Sequence, residues 1–596
     1  MEPAEFYSNR IEILSAEQKK LQQRKSVFGI LRLGSIIAVI AAFYFLWSIN
    51  KLYAAGAAIV ILFIFIKLIY KDLANRAAIK RLGHLININK DELLALDGKY
   101  YQFTNGSNFI PHDHFYANDM DVFGHASLFQ FLNRTTSELG EKKLADWLLN
   151  PANKETIIER QDAVKELSTL NVWRQNIHAI GKENTIKEST LKTIINWLTE
   201  PTILLQFKPW QWLRYLLPAI IITACLLTIF DIMSLQYLYP ILFIYFIIAF
   251  QINKIVAPLH NKLSVMVSDL EVLSDSIACI ETEPFYAPHL VQLKNTLQHS
   301  HNMASLKINR LKKILDRLDL RYNIVVSIPL NILLLWNLQQ ILDLEKWKKE
   351  NDFNVQNWFD TLANFEALNS FATINFNNPD WCFPLLKEKH FTLNGTELGH
   401  PLINKNKRIN NFIDIEKAGE IMLVTGSNMA GKSTYLRSIG INTILAMAGA
   451  PVCAKTFEIS PVQLLSSMRI ADNLEESTST FYAELKKLKT VIEKINSGEK
   501  VFILLDEILR GTNSLDRHTG SEALIRQLIK QKAAAILATH DVALAELKTS
   551  FPTNILNYHF DAQVNGEELY FDYKLKEGVC TNMNASLLMK KIGLEI

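Results

Sequence analysis

The sequence contains little cysteine and no marked excess of charge of either sign. Five cysteines occur among 596 residues, none in a Cys-x-x-Cys pair, which indicates reduced thiols and no zinc site. The formal net charge of +3 creates no whole-chain field that would favour nucleic acid. Residues 1–26 are largely polar and precede two apolar runs, so we expect no cleavable signal peptide.

Two long segments contain almost no charge. Lys51 is the only charged residue between 33 and 66, and Asp231 is the only one between 215 and 253. Each segment divides into two apolar runs that approach the roughly 20 residues needed to cross a bilayer. Paired helices satisfy nearly all backbone hydrogen bonds internally, as the hydrocarbon requires. The sequence therefore predicts transmembrane hairpins at 27–71 and at about 213–252, with pairs of buried core helices as the alternative.

Basic residues flank both predicted hairpins at their outer ends. By the positive-inside rule, this pattern places the flanks in the cytoplasm and predicts a multi-pass membrane protein. The flanking basic residues are Lys19, Lys20, Arg24, Lys25, Lys67, Lys71, Arg76, Lys80, Arg81, Lys208, Arg214 and Lys254.

The segment from Thr425 to Thr434 fits the phosphate-binding pattern Gly-x-x-x-x-Gly-Lys-Ser/Thr. In this pattern, backbone N–H groups wrap phosphate oxygens, and the next helix directs its positive N-terminus at them. We expect Lys432 to reach the β- and γ-phosphates of ATP and Ser433 to ligate Mg²⁺. The apolar run 421–424 predicts a buried strand before this loop. The predicted ATP-binding residues are Gly426, Ser427, Asn428, Met429, Ala430, Gly431, Lys432, Ser433 and Thr434.

Two further apolar runs predict strands that end in titratable residues. The run 501–505 is followed by Asp506 and Glu507, as in a Walker B strand. We expect Asp506 to support Mg²⁺ and Glu507 to orient or deprotonate the attacking water, although two solvated acids would give the same pattern. The run 533–538 precedes His540, which either senses the γ-phosphate or caps the next helix. We predict catalytic roles for Glu507 and His540.

These segments resemble the MutS family. Residues 425–434 are similar to its segment Thr-Gly-Pro-Asn-Met-Gly-Gly-Lys-Ser-Thr, with Ser427 in place of proline and Ala430 in place of a glycine. Residues 504–516 are similar to its segment Leu-Leu-Asp-Glu-Ile-Gly-Arg-Gly-Thr and beyond, and residues 538–541 to its Ala-Thr-His segment. The resemblance implies an ATPase that requires ATP and Mg²⁺.

A second group of similarities implies a dimer. Residues 477–481, followed by Glu484, resemble the Ser-Thr-Phe-x-x-Glu signature of the family. The resemblance implies composite nucleotide sites in a homodimer formed through the ATPase domains, where the signature of one subunit faces the nucleotide of the other. The signature residues are Ser477, Thr478, Ser479, Thr480 and Phe481. Looser similarities occur at 399–401, 449–452 and 578–594.

The resemblance extends upstream and implies a domain organisation. Segments at 127–151 and 362–372 resemble the start and end of the helical core, or lever, domain of the family. This implies an α/β P-loop ATPase domain of the ABC type, preceded by an all-α lever domain, with the two predicted transmembrane hairpins. We expect the shorter run 324–336 to be a buried lever helix. The predicted domains are a cytoplasmic segment (1–26), hairpin 1 (27–71), a linker (72–120), the lever domain (121–375) containing hairpin 2, and the ATPase domain (376–596).

Family features that contact DNA are missing from the sequence. The mismatch-reading domain of the family carries a Phe-x-Glu wedge, and no Phe-x-Glu occurs here. Nothing between 254 and 321 resembles a strand-rich clamp insertion. Lys307, Arg310, Lys313, Arg317 and Arg321 nevertheless share one helical face, which is either solvated or faces DNA phosphates or lipid headgroups.

Two functions are consistent with these features. The first is a membrane-tethered MutS-family ATPase that binds mismatched or structured DNA in an ATP-dependent manner, as in DNA mismatch repair. The second is a membrane ATPase that never binds DNA and couples its nucleotide state to the spans or to a protein partner. A conventional ABC transporter is a weaker third candidate, because four spans are few for a translocation path.

Overall fold

The computed structural model contains a long helical part followed by a smaller mixed α/β part. It describes residues 2–202, 204–298, 303–351, 354–427, 429–468, 480–565 and 568–580. The helices of the first part are α1 (Pro3–Leu46), α2 (Lys51–Leu96), α3 (Leu128–Leu132), α4 (Glu138–Leu149), α5 (Lys154–Thr169), α6 (Asn171–Gly181), α7 (Glu188–Thr199), α8 (Trp210–Ile229), α9 (Leu235–Ser264), α10 (Val267–Thr282), α11 (Pro288–Asn295), α12 (Ala304–Asp319), α13 (Ile324–Leu334), α14 (Trp336–Asn351) and α15 (Val355–Asn377).

The C-terminal part contains two sheets. Its strands are β1 (Leu385–Leu386), β2 (Leu393–Leu398), β3 (Asn411–Ile415), β4 (Ile421–Gly426), β5 (Thr456–Ile459), β6 (Gln463–Ser467), β7 (Val501–Asp506), β8 (Ala534–Thr539), β9 (Ile555–Asn565) and β10 (Glu568–Glu577). Its helices are α16 (Lys432–Ala448), α17 (Thr480–Asn496), α18 (Ser514–Lys530) and α19 (Leu547–Ser550).

The larger sheet carries the predicted nucleotide motifs. Its strand order is β10-β9-β4-β8-β7-β6, and every neighbouring pair is parallel except β9 with β10. Every residue of β4, β7 and β8 is buried, as expected for central strands covered on both faces. The three strands predicted at 421–424, 501–505 and 533–538 are therefore confirmed, and parallel pairing brings their carboxyl ends to one edge.

Helices α1 and α2 form one long pair joined by a short turn. Leu14 of α1 packs with Leu82 and Leu85 of α2 and with Ala179 of α6. Asp72 is buried in the pair and accepts hydrogen bonds from Arg32 at 2.8 Å and from Arg76 at 2.9 Å. This packed region anchors the pair to the rest of the helical part.

The boundaries of this pair differ from the sequence prediction. Helix α1 begins at Pro3 and runs continuously from the predicted segment 1–26 into the predicted hairpin, and α2 continues to Leu96 into the predicted linker at 72–120. The cause is the spacing of buried apolar residues in α2, which recur at intervals of three and four residues from Leu82 to Ile88 and face α1 and α6.

Within the described part of the chain, four helices are long and apolar enough to cross a membrane by length and composition: α1, α2, α8 and α9. In the most apolar 18-residue stretch of each helix, at most 17% is buried inside the protein. Such exposure of long apolar runs is unusual for core helices of a water-soluble domain. The four helices coincide with the two hairpins predicted at 27–71 and at about 213–252.

The run 324–336 is not the buried helix that the sequence led us to expect. Helix α13 ends at Leu334, and the chain turns at Leu335, which has a φ of 47°. Val325 is 82% exposed and Ile328 is 53% exposed. The prediction was wrong because a short apolar run has the same composition whether it faces protein or another apolar medium.

Helix α12 carries the predicted basic face beside a buried apolar stripe. Ile308, Leu311, Leu315 and Leu318 are buried, which confirms the amphipathic pattern. On the other face, Arg310 pairs with Glu350 at 2.8 Å, whereas Lys313 and Arg317 are exposed.

Candidate nucleotide site

The predicted phosphate-binding loop connects β4 to α16. Gly426 ends β4 with a φ of 148°, and a Cβ there would lie 2.6 Å from the carbonyl oxygen of Phe560. Gly431 directly precedes α16 with a φ of 108°. Residues other than glycine rarely adopt these backbone conformations, so the path of the loop requires both glycines of the pattern. Asn428, also predicted to bind ATP, lies outside the described residues.

Lys432 is the first residue of α16 and lies on the inner side of the loop. Its Nζ donates to the carbonyl oxygens of Gly426 at 2.8 Å and of Ser427 at 2.9 Å. Burial lowers the pKa of the ammonium, while the carboxylates of Glu507 and Asp506 oppose that shift. The ammonium thus occupies the position from which it can exchange loop carbonyls for phosphate oxygens.

The other predicted loop residues divide between a cavity and the interior. Ser427, Met429, Ser433 and Thr434 line the same cavity as Lys432. Ala430 is buried.

Ser433 and Asp506 lie together at the carboxyl edge of the sheet. Burial raises the pKa of Asp506, and the neighbouring Ser433 hydroxyl opposes that shift. Oδ1 of Asp506 is buried and has no hydrogen-bond partner among the described residues. Among the described residues, no group of three or more His, Cys, Asp or Glu side chains is arranged so that these side chains alone could hold a metal ion. One hydroxyl and one carboxylate nevertheless fit Mg²⁺, which completes its shell with waters and phosphate oxygens.

Glu507 is held from two sides. His540 Nε2 contacts Oε1, and Arg510 Nε lies 3.1 Å from Oε2. The close contact with His540 lowers the pKa of Glu507, and the nearby Arg510 and Lys432 charges lower it further. Glu507 itself has a φ of 50°, a conformation that non-glycine residues adopt mainly where the surroundings enforce it. His540 is therefore placed beside Glu507, at the end of the adjacent strand.

The predicted signature can be followed only in part, because Ser477, Thr478 and Ser479 and the side chain of Thr480 lie outside the described residues. Phe481 packs against Gly511, where a Cβ would lie 2.6 Å from the Cβ of Phe481. Glu484 is 2% exposed and accepts the backbone N–H of Leu509. Helix α17 therefore fixes the loop after β7 within the same chain.

A cavity of about 420 Å³ opens beside the phosphate-binding loop, and most of its wall was not predicted. His400, Arg408, Asn411, Phe560 and Tyr573 line it together with the loop. Burial lowers the pKa of His400 to about 4. The loose similarity at 399–401 pointed to His400, but Tyr573 lies in a strand without any recognised motif.

Helix α16 contacts the segment that leads into the helical part. Asp121 Oδ2 lies 3.3 Å from Arg437 Nη1, one helical turn beyond Ser433. A Cβ on Gly440 would lie 2.4 Å from the sulfur of Met120, so the helix and this segment approach closely. Movement of α16 would therefore be transmitted directly to residues 120–121.

The C-terminal end of α2 reaches the rim of the same cavity. Asn404 Nδ2 donates to the carbonyl oxygen of Asp97 at 3.0 Å. Ile403 and Lys407, on either side of Asn404, line the cavity. A helix with a membrane-span composition in its first half thus ends at the candidate nucleotide site.

Comparison with known proteins identifies the C-terminal part. Residues 422–591 match the family model for MutS domain V. The chain is 32% identical over 205 residues to MutS protein homolog 4 from Homo sapiens, covering 33% of this chain and 22% of that protein. It is 31% identical over 240 residues to DNA mismatch repair protein MutS from Chlorobium phaeovibrioides, covering 39% of this chain and 27% of that protein.

The C-terminal part of the chain is therefore similar to domain V of the MutS family. The aligned segment is about a quarter of each relative's length, 22% in one case and 27% in the other. The comparison therefore bears on the part of the chain that holds the candidate site.

Proposed function

We propose that this chain is a membrane-anchored ATPase of the MutS type, which binds ATP with Mg²⁺ in the cavity beside α16 and hydrolyses it. The observation that carries the proposal is the convergence of Lys432, Ser433, Asp506, Glu507 and His540 at one edge of the parallel sheet. These residues come from two strand ends, those of β7 and β8, and from the start of α16. Phosphoryl transfer needs this combination of a phosphate cradle, a cation site and a water-orienting carboxylate.

Each residue has a distinct role in the proposed reaction. The loop N–H groups and Lys432 bind the phosphates, and Ser433 and Asp506 hold the cation. Mg²⁺ would neutralise charge that develops on the phosphate oxygens. Glu507 orients the attacking water and accepts its proton, and His540 positions the carboxylate of Glu507. Because Glu507 is ionised at neutral pH, it can accept a hydrogen bond from water once one of its present partners is displaced.

Tyr573 is proposed to stack on the adenine. Its side chain is 45% exposed and lies over Gly431, where a Cβ would be 3.1 Å from Tyr573 Cδ1. We expect Tyr573→Ala to weaken ATP binding by about 5- to 150-fold, since stacking on a base contributes ~1–3 kcal/mol. Tyr573→Phe should bind as the wild type does. Titration calorimetry with a non-hydrolysable ATP analogue measures the effect.

Tyr570→Ala is the matched control, because Tyr570 is 61% exposed on the same strand and does not line the cavity. Unchanged affinity in Tyr573→Ala would place the adenine elsewhere.

The larger assembly is proposed to be a homodimer at the membrane, with the ATPase domains in the cytoplasm. The loop and helix start at 510–517, beside Glu507, are largely exposed, and Leu515 is 74% exposed. An apolar side chain exposed next to a catalytic carboxylate fits an interface with a second ATPase domain. Helices α1, α2, α8 and α9 are proposed to form the membrane anchor, with membrane lipid as their surroundings.

DNA is the proposed ligand of the assembled protein, because relatives of the matched region carry the name DNA mismatch repair protein. We expect the full chain in detergent to retain mismatched or branched duplex at low salt and to release it as salt rises. ATP should change the retained fraction in the wild type but not in Lys432→Ala, which lacks the phosphate-binding ammonium. If neither protein retains DNA at low salt, DNA binding is excluded.

One observation favours a second candidate, a membrane ATPase that does not bind DNA. The bond between Asn404 and Asp97 connects the cavity rim to α2, so nucleotide state can act on a proposed span without any nucleic acid. Absence of DNA retention together with normal ATP hydrolysis would select this candidate.

A further inference from the structure

Helix α13 exposes apolar side chains next to the second proposed hairpin. Among its 11 residues, only Ser327 and Asn331 are polar. Val325 is 82% exposed and Ile328 is 53% exposed. The helix packs against α8 and α9, which have the composition of membrane spans. Its exposed apolar surface is therefore continuous with that of the hairpin.

Both ends of α13 return to the same polar layer of the protein. Trp336 follows α13 directly, and its Nε1 donates to the carbonyl oxygen of Arg317 at 2.9 Å. Arg317 lies in the last turn of α12, the helix that precedes α13. Eleven helical residues extend only about 16 Å, whereas the hydrocarbon core is about 30 Å thick. The segment therefore leaves this layer and returns to it without crossing.

The following helix belongs to the protein interior. Helix α14 bends away from α13 by 75°. Trp347 of α14 is fully buried, and Lys348 donates to the carbonyl oxygens of Trp197 and Glu200. Glu345 accepts the backbone N–H of Leu204 at 3.2 Å. A helix with these buried charged contacts is part of the lever core, so α13 and α14 are not two halves of one broken span.

Asn331 bridges the break between the two helices with its side-chain amide, whereas Oδ1 of Asn337 is buried there without a hydrogen-bond partner among the described residues. Asn331 Nδ2 donates to the carbonyl oxygen of Ser327 at 2.9 Å, and Asn331 Oδ1 accepts the backbone N–H of Asn337 at 3.0 Å. At the other end, the Asn323 side chain accepts the N–H of Val326. Irregular backbone at membrane depth persists only where such partners exist, and these residues supply them.

Basic and aromatic residues lie at the ends of α13. Lys313 and Arg317 are exposed on the last turns of α12. Arg321 is half-buried, and its Nη1 atom is buried without a hydrogen-bond partner among the described residues. Tyr322 is 64% exposed beside them. Cationic side chains with tyrosine and tryptophan are typical of the layer where a protein meets phospholipid headgroups.

We propose that α13 is a membrane segment that enters one leaflet only, on the cytoplasmic side, with its exposed apolar face against acyl chains. Arg317 and Arg321 contact the phosphate groups of the same leaflet. In this arrangement, two hairpins and the shallow helix α13 attach the protein to the membrane, and the basic face of α12 faces the lipid headgroups. This inference rests on the proposed membrane embedding of α8 and α9.

The test uses the full chain in phosphatidylcholine nanodiscs, with a fluorescent amino acid introduced at one position at a time. The positions are Ile328 in α13, Phe246 in the middle of α9 as the membrane reference, and Leu306 at the start of α12 as the exposed control. Phe246 is 54% exposed and Leu306 is 62% exposed, so the three sites have similar accessibility. Lipids that carry a nitroxide at a shallow or a deep acyl position quench a fluorophore at the matching depth.

We expect a loss of fluorescence at Ile328 comparable to that at Phe246, and little loss at Leu306. The shallow nitroxide should quench Ile328 more than the deep one, with the reverse order at Phe246. Quenching at Phe246 but not at Ile328 would overturn this inference and leave the membrane anchor intact. Deep quenching at Ile328 would overturn the one-leaflet placement, and no quenching at Phe246 would overturn the proposed anchor itself.

Discussion

Replacing Glu507 with glutamine is expected to lower ATP turnover by about 10²–10⁴-fold, the range for loss of a positioned general base. The glutamine side chain keeps the size of glutamate but cannot accept a proton from water. The phosphate cradle formed by Lys432 and the loop is untouched, so ATP binding should persist. Turnover is measured by phosphate release from the detergent-solubilised full chain, and binding by calorimetry.

Two controls make this result specific. Glu493→Gln removes an exposed carboxylate from α17, far from the cavity, and should leave turnover unchanged. His540→Asn should give a smaller loss than Glu507→Gln, because we propose that His540 acts through the carboxylate of Glu507, which it contacts. Turnover at the wild-type rate in Glu507→Gln would remove this residue from its proposed role.

The chemistry of the site is readable from sequence where it depends on short segments. Gly426, Gly431 and Lys432 share one loop, and Asp506 and Glu507 end one apolar strand, so local pattern suffices. Parallel pairing then dictates that these strand ends meet. The end of the cavity where we propose that adenine binds cannot be predicted in this way, because Tyr573 reaches it only through the pairing of β10 with β9. Nothing in its neighbours along the chain specifies that position.

The fold shows the same limit. The apolar runs predicted the positions of the four span-like helices, because hydrophobic length is a local property. The continuation of α2 to Leu96 depends on contacts with α1 and α6, which are distant in sequence. Likewise, the exposure of α13 depends on which neighbours surround it. Local pattern predicts elements, and long-range packing decides their extent and their surroundings.

A buried ion pair joins the first proposed hairpin to the predicted lever domain. Glu92 of α2 contacts Arg134 through both oxygens, with Oε1 at 2.5 Å from Nε and Oε2 at 3.1 Å from Nη2. Their side chains are only 4% and 2% exposed. Asn377 of α15 donates to Glu92 at 2.8 Å and accepts the Tyr7 hydroxyl of α1 at 2.7 Å. One buried network therefore links α1, α2 and the last lever helix.

Glu92→Gln is expected to destabilise the protein by about 3–5 kcal/mol, because it leaves the Arg134 guanidinium buried without an opposite charge. Arg134→Met should be similarly damaging, since it leaves the Glu92 carboxylate unpaired. The loss is measured as a lower melting temperature in detergent and as faster proteolysis near the end of α2. The exposed pair of Lys489 and Glu493 is the matched control, and Glu493→Gln should change stability by less than about 1 kcal/mol.

The double variant Glu92→Met with Arg134→Met decides what the pair contributes. If each single variant is unstable because it leaves one buried charge without its partner, the double variant should recover much of the stability. Apolar replacements of a buried ion pair are often tolerated. Its ATP turnover should then report whether the polar network is needed to transmit movement between α2 and the ATPase domain. A double variant as unstable as either single variant would mean that the bidentate geometry itself holds α2 against the lever domain. In that case, α2 should become protease-sensitive before the rest of the chain unfolds.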